Sequence, residues 1–435
     1  MIRVPGLAPR FAAWRILHDV RHGVPFDVAL RRAVRDLEPN DRRLAHELAG
    51  GVFRHRSQLD LSLAPAIERG LTSVRADTLD VLRIGAFQLL HLDKVPSHAA
   101  VQTTVGVARR LGGRRIAGFV NAVLRRVETA GAAPQPGPEH PGDDLATRFS
   151  HPDWLVERWR ARFGDHATEQ LLAWNNDRAP LVLQPARAPL ETLVSMVTAA
   201  GIGARPAAFG AGLIVEHGRP TDLPGFSEGA FVVQDPAQRL IARFLDPDPG
   251  SLVYDACSAP GGKAIAIAPS VRFVVAGDRR RARTARLAEN VARAGGPNIA
   301  VIEADVLRPP IRRADAVVLD VPCLGTGTLA RNPDARWRVA PGALTTLVAQ
   351  ASAFLDAAAQ IVEPGGLLLF ATCSLEPEEN EEQIARFLNH DRRFRREPAA
   401  TVPPELLTPD GDLSLLPHRH RTDGGFAARL RRVAP

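Results

Sequence analysis

Residues 252–264 read LVYDACSAPGGKA. An apolar run that ends in Asp255 passes into a turn with two consecutive glycines. A strand followed by such a turn is typical of α/β proteins, in which ligands bind beyond the carboxyl ends of the strands. A phosphate-binding P-loop would need glycine at 257 and serine or threonine at 264, where this chain has Cys257 and Ala264. An NTPase is therefore disfavoured, and the dinucleotide fingerprint GxGxxG is also absent.

Four further apolar runs have the character of strands and alternate with helical stretches. Together with 252–256, the candidate strands are 271–278, 299–305, 314–320 and 366–372. This alternation predicts a parallel, doubly wound sheet. Asp255, Asp278, Asp305 and Asp320 each lie at or near a strand end, so we expect them along one edge of the sheet. A nucleoside-bearing cofactor that lies across the sheet would explain the pattern.

The length of 435 residues favours two or three domains. Residues 1–130 show helical periodicity, and 131–149 are a Pro/Gly-rich linker. Residues 150–235 predict a small α/β subdomain, and 236–435 predict the Rossmann-like domain. The fold class is therefore multidomain, with an all-α domain followed by α/β domains.

The composition favours a polyanionic partner. The formal net charge is +7, and the only lysines are Lys94 and Lys263. A lysine in a chain that nearly always uses arginine suggests a site where a guanidinium would not fit. With no long apolar stretch and no charged-then-apolar leader, we expect a cytoplasmic protein without a membrane span. The cysteine spacing fits no zinc site, so we expect no metal.

The three cysteines all follow predicted strands. Cys257 lies in the glycine turn, Cys323 follows Asp320 in LDVPC, and Cys373 ends the strand in ATCS. A lone cysteine is more often a small buried apolar residue. Because all three fall on one predicted rim, we expect Cys323 and Cys373 to act as a pair.

These motifs resemble a known family. APGGK, LDVPC and ATCS occur in this order and resemble the RNA 5-methylcytosine methyltransferases of the RsmB/Fmu/Sun (NOL/NOP/Sun) family. The segments VLRIGAFQLLHLDKVPSHAAV and GFVNAVLRR look like the NusB-like RNA-binding domain of the RsmB branch, which would occupy 1–130. HPDWLVERW, FVVQDPAQ and DGGFAARLRR also fit that branch.

The resemblance implies S-adenosylmethionine as cofactor and a cytosine in a single-stranded or loop region of 16S rRNA as substrate. Asp278 would hold the ribose, Asp305 would lie by the adenine, and Asp320 would lie near the methionine end and the target base. Cofactor-binding positions carried over are Cys257, Ser258, Ala259, Pro260, Gly261, Gly262, Lys263, Asp278, Asp305 and Asp320. Ser258, Ala264, Val321 and the run RRRAR after Asp278 depart from the usual family pattern and could shift cofactor affinity.

The implied chemistry is covalent catalysis by cysteine. A thiolate adds to carbon 6 of cytosine, carbon 5 becomes nucleophilic and takes the methyl group, and the thiolate then leaves. Spacing alone does not decide which cysteine attacks. By resemblance, Cys373 is the nucleophile and Cys323 assists product release.

The acids after Cys373 bear on its reactivity. Glu376, Glu378, Glu379 and Glu381 would raise the pKa of the thiol if they pointed at it. A helix starting near Pro377 could use them at its N-terminus instead. We therefore expect them to face outward, with a positive group such as Lys263 nearer the thiol.

Alternative functions stay open at this point. The same chemistry could act on tRNA or DNA, although a NusB-like domain argues against DNA. The chain could instead be a non-catalytic RNA-binding ribosome assembly factor, against which the retained cysteines and aspartates argue. Nothing suggests a dimer seam, so a monomer is expected. Arginines that could hold the RNA backbone are Arg109, Arg110, Arg114, Arg115, Arg125 and Arg126.

Overall fold

The computed structural model describes residues 5–131 and 145–434. The predicted linker at 131–149 lies largely outside these residues. They form two compact units: residues 5–131 and 145–177 with 332–338, and residues 178–331 with 339–434. No helix in these described ranges is both long and apolar enough to cross a membrane. The same ranges contain no group of three or more histidine, cysteine or acidic residues that could hold a metal ion.

The first unit is helical. Its helices before residue 178 are α1 (Leu7–Arg21), α2 (Phe26–Ala33), α3 (Pro39–Leu63), α4 (Ala76–His91), α5 (Ser97–Ala130), α6 (Leu145–Phe149), α7 (Asp153–Phe163) and α8 (Asp165–Asn176). Helix α4 supplies the centre of the core, because both its faces are largely buried. Gly51 of α3 lets the Phe87 ring of α4 pack against the α3 backbone, since a Cβ at residue 51 would lie 2.0 Å from that ring.

Helix α5 is bent at two glycines. Gly112 and Gly113 have non-helical backbone angles, and Gly113 has a φ of +72°, which favours glycine. The kink divides α5 into two limbs. The predicted arginines lie on both limbs.

The second unit begins with a small antiparallel sheet. Its strands are β1 (Leu181–Pro185), β2 (Ala204–Pro206), β3 (Leu213–Val215) and β4 (Phe231–Val233), in the order β2-β3-β1-β4. Helix α9 (Leu190–Ala199) buries Leu193 and Val197 against this sheet. The predicted 150–235 subdomain is thus divided between the units, with α7 and α8 in the first unit and the sheet in the second.

The large sheet carries the predicted α/β pattern. Its strands are β5 (Leu252–Asp255), β6 (Phe273–Asp278), β7 (Ile299–Glu303), β8 (Ala314–Asp320), β9 (Val362–Thr372), β10 (Phe394–Arg396), β11 (Leu413–Leu415) and β12 (Gly425–Arg432). The remaining helices are α10 (Pro236–Leu245), α11 (Gly262–Ile267), α12 (Arg281–Ala294), α13 (Ala335–Arg338, in the first unit), α14 (Pro341–Ile361), α15 (Glu381–His390) and α16 (Pro417–His420). The strand order is β10-β12-β9-β8-β5-β6-β7, and β11 pairs with β12.

Five strands of this sheet, β5 to β9, are parallel, as the sequence predicts. Residues along β9 alternate between two cores: Leu367 and Leu369 face one, whereas Leu368 and Phe370 face the other. Strand β12 runs antiparallel to β9 and makes the sheet mixed, which the strand prediction lacked. The predicted fold class is confirmed, and strands β5, β8 and β9 bring their carboxyl ends to one rim.

Candidate active site

The loop between β5 and α11 is shaped by close backbone contacts. Ser258 N donates to Gly277 O at 2.8 Å, and Gly261 N donates to Ser258 O at 2.7 Å. Gly261 has a φ of +106°, and a Cβ there would lie 2.6 Å from Leu287 Cδ1. A Cβ at Gly262 would lie 2.7 Å from Gln234 Nε2. Both glycines of the turn are therefore required by the local packing.

This loop forms one wall of a cavity of about 580 Å³ within the second unit. Predicted residues on the wall are Cys257, Ser258, Ala259, Pro260, Gly262, Lys263, Asp320 and Cys373. Predicted residues outside the wall are Gly261, Asp278, Asp305 and Cys323. The cavity therefore collects residues from the ends of β5, β8 and β9.

Lys263 and Asp320 form an ion pair in this cavity. Lys263 Nζ lies 2.6 Å from Asp320 Oδ2 and also donates to Gln238 Oε1. The lysine side chain is 7% exposed, whereas the aspartate is 31% exposed. Because the ammonium is buried, it needs the carboxylate as its counter-charge. The pair leaves part of the aspartate open to a ligand.

The two thiols of the predicted pair meet. Cys323 Sγ and Cys373 Sγ are 3.4 Å apart, although the residues are 50 positions apart in the chain. The hydrogen bond to Cys373 and burial raise the pKa of Cys323 well above its usual range. Cys323 is therefore held as a thiol. Cys373 is the member of the pair that lines the cavity.

The expectation that the glutamates face outward is wrong for two of the four. Glu376 is 1% exposed and Glu379 is 2% exposed. Thr326 Oγ1 donates to Glu376 Oε1 at 3.2 Å, and Leu324 N donates to Glu379 Oε1 at 3.0 Å. The loop that carries Cys323 needs acceptors for these buried donors, and the glutamates supply them. Their role here is to hold that loop.

The buried Glu379 should make the free energy of unfolding depend on pH. Burial, together with the neighbouring charges of Glu376 and Glu378, raises its pKa to about 7. The folded state then binds a proton that the unfolded state releases near pH 4.3, so folding becomes less favourable as pH rises from about 5 to 7. Glu379→Gln keeps the acceptor for Leu324 N without the charge. We expect the variant to gain free energy of unfolding relative to the parent across this range, measured by urea unfolding at several pH values. A difference that does not change with pH would contradict the burial of an ionisable Glu379.

Gly327 and Gly424 make a close backbone contact beside Cys373. Gly327 N donates to Cys373 O at 3.0 Å, and Gly424 N donates to Gly327 O at 2.7 Å. A Cβ at Gly327 would lie 2.7 Å from Gly424 Cα and 2.8 Å from Cys373 O. These bonds tie the Cys323 loop, the end of β9 and the start of β12 together.

Gly327→Ala should therefore lower the free energy of unfolding by about 1–3 kcal/mol, because backbone atoms must move apart. Thermal and urea unfolding measure the change. Gly342→Ala is the matched control, since a Cβ at that helical position meets nothing within 4 Å. Equal stability of the two variants would show that the backbone contact is looser than the structure has it.

Asp278 and Asp305 are occupied by protein groups. Asp278 accepts Arg283 Nε at 2.9 Å and Arg280 N at 3.1 Å. Asp305 accepts Leu307 N at 3.0 Å. Asp278 is the last residue of β6, as predicted, whereas β7 ends at Glu303 and leaves Asp305 two residues beyond the strand. Their cofactor roles stay predictions.

The cavity fits a polar ligand. Both carboxylate oxygens of Asp255, together with Ser258 Oγ and Gln234 Oε1, are buried without a well-formed hydrogen bond among the described residues, and the nearby Ser258 hydroxyl and Cys257 backbone lower the pKa of Asp255 only in part. All three residues line the cavity, and burial raises the pKa of Asp255 to about 7. Buried polar atoms without partners are uncommon in folded proteins. A ligand with amino or hydroxyl donors, such as S-adenosylmethionine, would satisfy them.

Sequence reasoning missed a second charged cluster on the same wall. Arg331 donates from Nη2 to Asp235 Oδ2 at 2.8 Å and from Nε to Asp423 Oδ2 at 3.0 Å. Two of these residues fall in segments that carry the family resemblance, FVVQDPAQ and DGGFAARLRR. That resemblance alone could have drawn attention to them.

The six predicted RNA-binding arginines are all exposed in the first unit. Arg109 and Arg125 line a surface cavity of about 430 Å³ together with His98, Gln102 and Asn121. Arg125 also pairs with Glu128 at 2.8 Å, and Arg110 lies over the Phe11 ring at 4.2 Å. Helix α5 thus offers donors for a phosphate-rich partner on its surface.

Solved structures share this architecture. The chain is similar to the crystal structure of PH0851, with a TM-score of 0.84 and 25% identity over 99% of this chain and all of that one. It also shares a fold with NSun6 from Pyrococcus horikoshii, at a TM-score of 0.58 and 19% identity over 65% of this chain and 99% of that one. The chain therefore shares its fold with these two proteins.

Sequence comparison gives the family. The model for the 16S rRNA methyltransferase RsmB/F matches residues 242–431, the NusB family model matches 8–129, and the RsmF/B-like ferredoxin-like domain model matches 151–222. A probable ribosomal RNA small subunit methyltransferase B from Synechocystis is 36% identical over 98% of this chain and all of that protein. Ribosomal RNA small subunit methyltransferase B from Thermus thermophilus is 34% identical over 98% of both chains. The chain belongs to the RsmB/F family of 16S rRNA methyltransferases, which confirms the resemblance.

Proposed function

We propose that this chain transfers the methyl group of S-adenosylmethionine to carbon 5 of a cytosine in 16S rRNA, through a covalent Cys373–cytosine adduct. The observation that carries the proposal is the thiol pair at the cavity. Cys373 lines the wall that also holds Lys263 and Asp320, and Cys323 Sγ lies 3.4 Å behind it.

The cofactor would be held by the loop from Asp255 to Lys263. Asp255, Ser258 and Gln234 present buried oxygens that are not saturated with well-formed hydrogen bonds, and these suit the amino and hydroxyl donors of S-adenosylmethionine. When bound, the cofactor supplies an electrophilic methyl group. Asp278 and Asp305 are proposed for its ribose and adenine, and Arg283 would have to release Asp278 for that contact.

Cys373 would act as the nucleophile. Its thiolate adds to carbon 6, which breaks the aromaticity of the ring and makes carbon 5 able to take the methyl group. Asp320, whose carboxylate is partly open, can bind the polar edge of the base while Lys263 fixes its orientation. A base then removes the proton from carbon 5, and the Cys373 thiolate leaves.

Cys323 would assist this release. Because its pKa is raised, it carries a proton on Sγ that can hydrogen-bond to the departing sulfur. The buried Glu376 and Glu379 are acidic and cannot stabilise a negative Cys373 thiolate. A positive group is needed for that. Lys263 lines the same cavity and is the positive group proposed to favour the thiolate.

The proposal is tested by transfer of a labelled methyl group to unmodified 16S rRNA, followed by bisulfite mapping with and without the protein. Incorporation at one protected cytosine is the expected result. Methylation of tRNA instead would show that the substrate is tRNA. RNA binding without any methyl transfer would favour a ribosome assembly factor. The cytoplasmic location and the monomeric state remain predictions.

A further inference from the structure

Arg331 is held in a cluster that draws on three distant segments of the second unit. Asp235 precedes α10, Arg331 follows the turn at Thr326–Thr328, and Asp423 precedes β12. Asp235 Oδ1 also accepts Asp423 N and Ala237 N, both at 2.9 Å. The carboxylates are 4% and 7% exposed, so the guanidinium is fixed from one side by buried partners.

The other side of Arg331 faces the cavity. Its side chain is 32% exposed and lines the same wall as Cys373. Nε and Nη2 donate to the aspartates, whereas Nη1 reaches only the Pro180 carbonyl at 3.5 Å, the outer limit for a hydrogen bond. A fixed guanidinium with a spare donor edge is suited to binding an acceptor on a ligand.

The cluster is tied to the nucleophile through the backbone. Asp423 is followed by Gly424, whose N–H bonds Gly327 O, and Gly327 N bonds Cys373 O. The position of Arg331 relative to Cys373 is therefore set by short, buried contacts. A nucleobase that reaches Cys373 lies within the cavity to which Arg331 belongs.

The charges of the cluster indicate which acceptor fits. Two carboxylates surround one guanidinium, and burial together with Asp235 raises the pKa of Asp423 to about 7. The cluster is therefore close to neutral or negative, which disfavours a phosphate. A pyrimidine carbonyl is a neutral acceptor, and addition of a thiolate to carbon 6 moves electron density toward N3 and O2. Donors aimed at such a developing charge stabilise the transition state.

We propose that Arg331 is a catalytic residue that donates a hydrogen bond from its cavity-facing edge to the O2 carbonyl of the target cytosine, while Asp235 and Asp423 position it. This inference rests on the proposed function, since it requires a cytosine attached to Cys373. It adds a contact on the edge of the base that carries O2.

The test uses the full-length protein and an RNA whose target cytosine has been mapped by bisulfite. Methyl transfer is measured on this RNA and on the same RNA with 2-thiocytidine at the target, because sulfur is a weaker acceptor than oxygen. We expect the sulfur to lower kcat/KM of the parent roughly 10- to 100-fold, the loss of one charge-assisted hydrogen bond. Arg331→Lys should lower kcat/KM on normal RNA by a similar factor and respond little to the sulfur.

Arg243→Lys is the matched control, because Arg243 bonds the Thr401 carbonyl at 3.1 Å and lies outside the cavity wall. It should respond to the sulfur as the parent does. The inference would be overturned if the losses of kcat/KM caused by the sulfur and by Arg331→Lys were additive. It would also be overturned if Arg331→Lys lowered the affinity for all RNAs equally and made it less dependent on salt, because this behaviour is typical of a phosphate contact. If Arg331→Lys does not fold, the parent protein is sufficient as a test: an equal kcat/KM on normal and 2-thiocytidine RNA would overturn the inference. Absence of transfer by the parent on normal RNA would refute the proposed function instead.

Discussion

Cys323→Ala should convert the protein into one that stays covalently bound to its RNA. The proposed adduct forms at Cys373, which the variant retains, whereas the thiol 3.4 Å away that assists release is gone. A denaturing gel of the variant mixed with cofactor and 16S rRNA should show a retarded band that is sensitive to nuclease. The parent should show little of this band, because it turns over.

Cys373→Ala is the paired variant. Removing a nucleophile abolishes the covalent route, so we expect methyl transfer to fall on the order of 10³-fold or more, with no retarded band. Cys257→Ala is a control for the retarded band alone: it removes the third thiol, which is expected to bind the cofactor and has no part in the adduct, so it should give no such band. A retarded band from Cys373→Ala would mean that the two thiols have the opposite roles. No band from either variant would argue against a covalent mechanism.

Breaking the Lys263–Asp320 ion pair should have the second large effect, on both the stability of the fold and methyl transfer. Asp320→Asn leaves a buried ammonium without its counter-charge, so we expect the free energy of unfolding to fall by about 3 kcal/mol. Methyl transfer should fall at least roughly 100-fold, because the carboxylate is proposed to bind the base.

The double variant Lys263→Met with Asp320→Leu distinguishes the two roles. It removes both charges at similar volume, which commonly restores the stability lost by breaking a buried pair. We expect unfolding by urea to return near the parent value, while methyl transfer stays lost. A double variant that recovers activity would show that the pair is structural only.

Much of the catalytic unit could be predicted because its signals are local. Apolar runs of strand length predict β5 to β9, and the acidic residues and cysteines of the site lie at or just after the ends of these runs. Parallel strands end at one rim, so residues such as Cys323 and Cys373 meet although 50 positions separate them. The predicted pairing of thiols depended on that topology alone.

The features that sequence reasoning missed depend on burial rather than on pattern. Glu376 and Glu379 belong to an acidic run that looks solvated, yet the loop from Leu324 to Thr326 requires their oxygens. Arg331 meets Asp235 and Asp423 across 96 and 92 positions, and no periodicity links them. The arginines of strand β12 suggest a solvent-exposed strand, but Arg429 is buried, and its Nε donates to the Leu245 carbonyl at 2.8 Å.

The closeness of the two sulfur atoms has a chemical consequence outside the methylation cycle. A two-electron oxidant such as hydrogen peroxide can join neighbouring thiols into a disulfide with loss of both protons. Such a bond would consume the attacking sulfur and the assisting one in a single event. An enzyme built this way depends on the reducing power of its surroundings, and dithiothreitol should recover what peroxide removes.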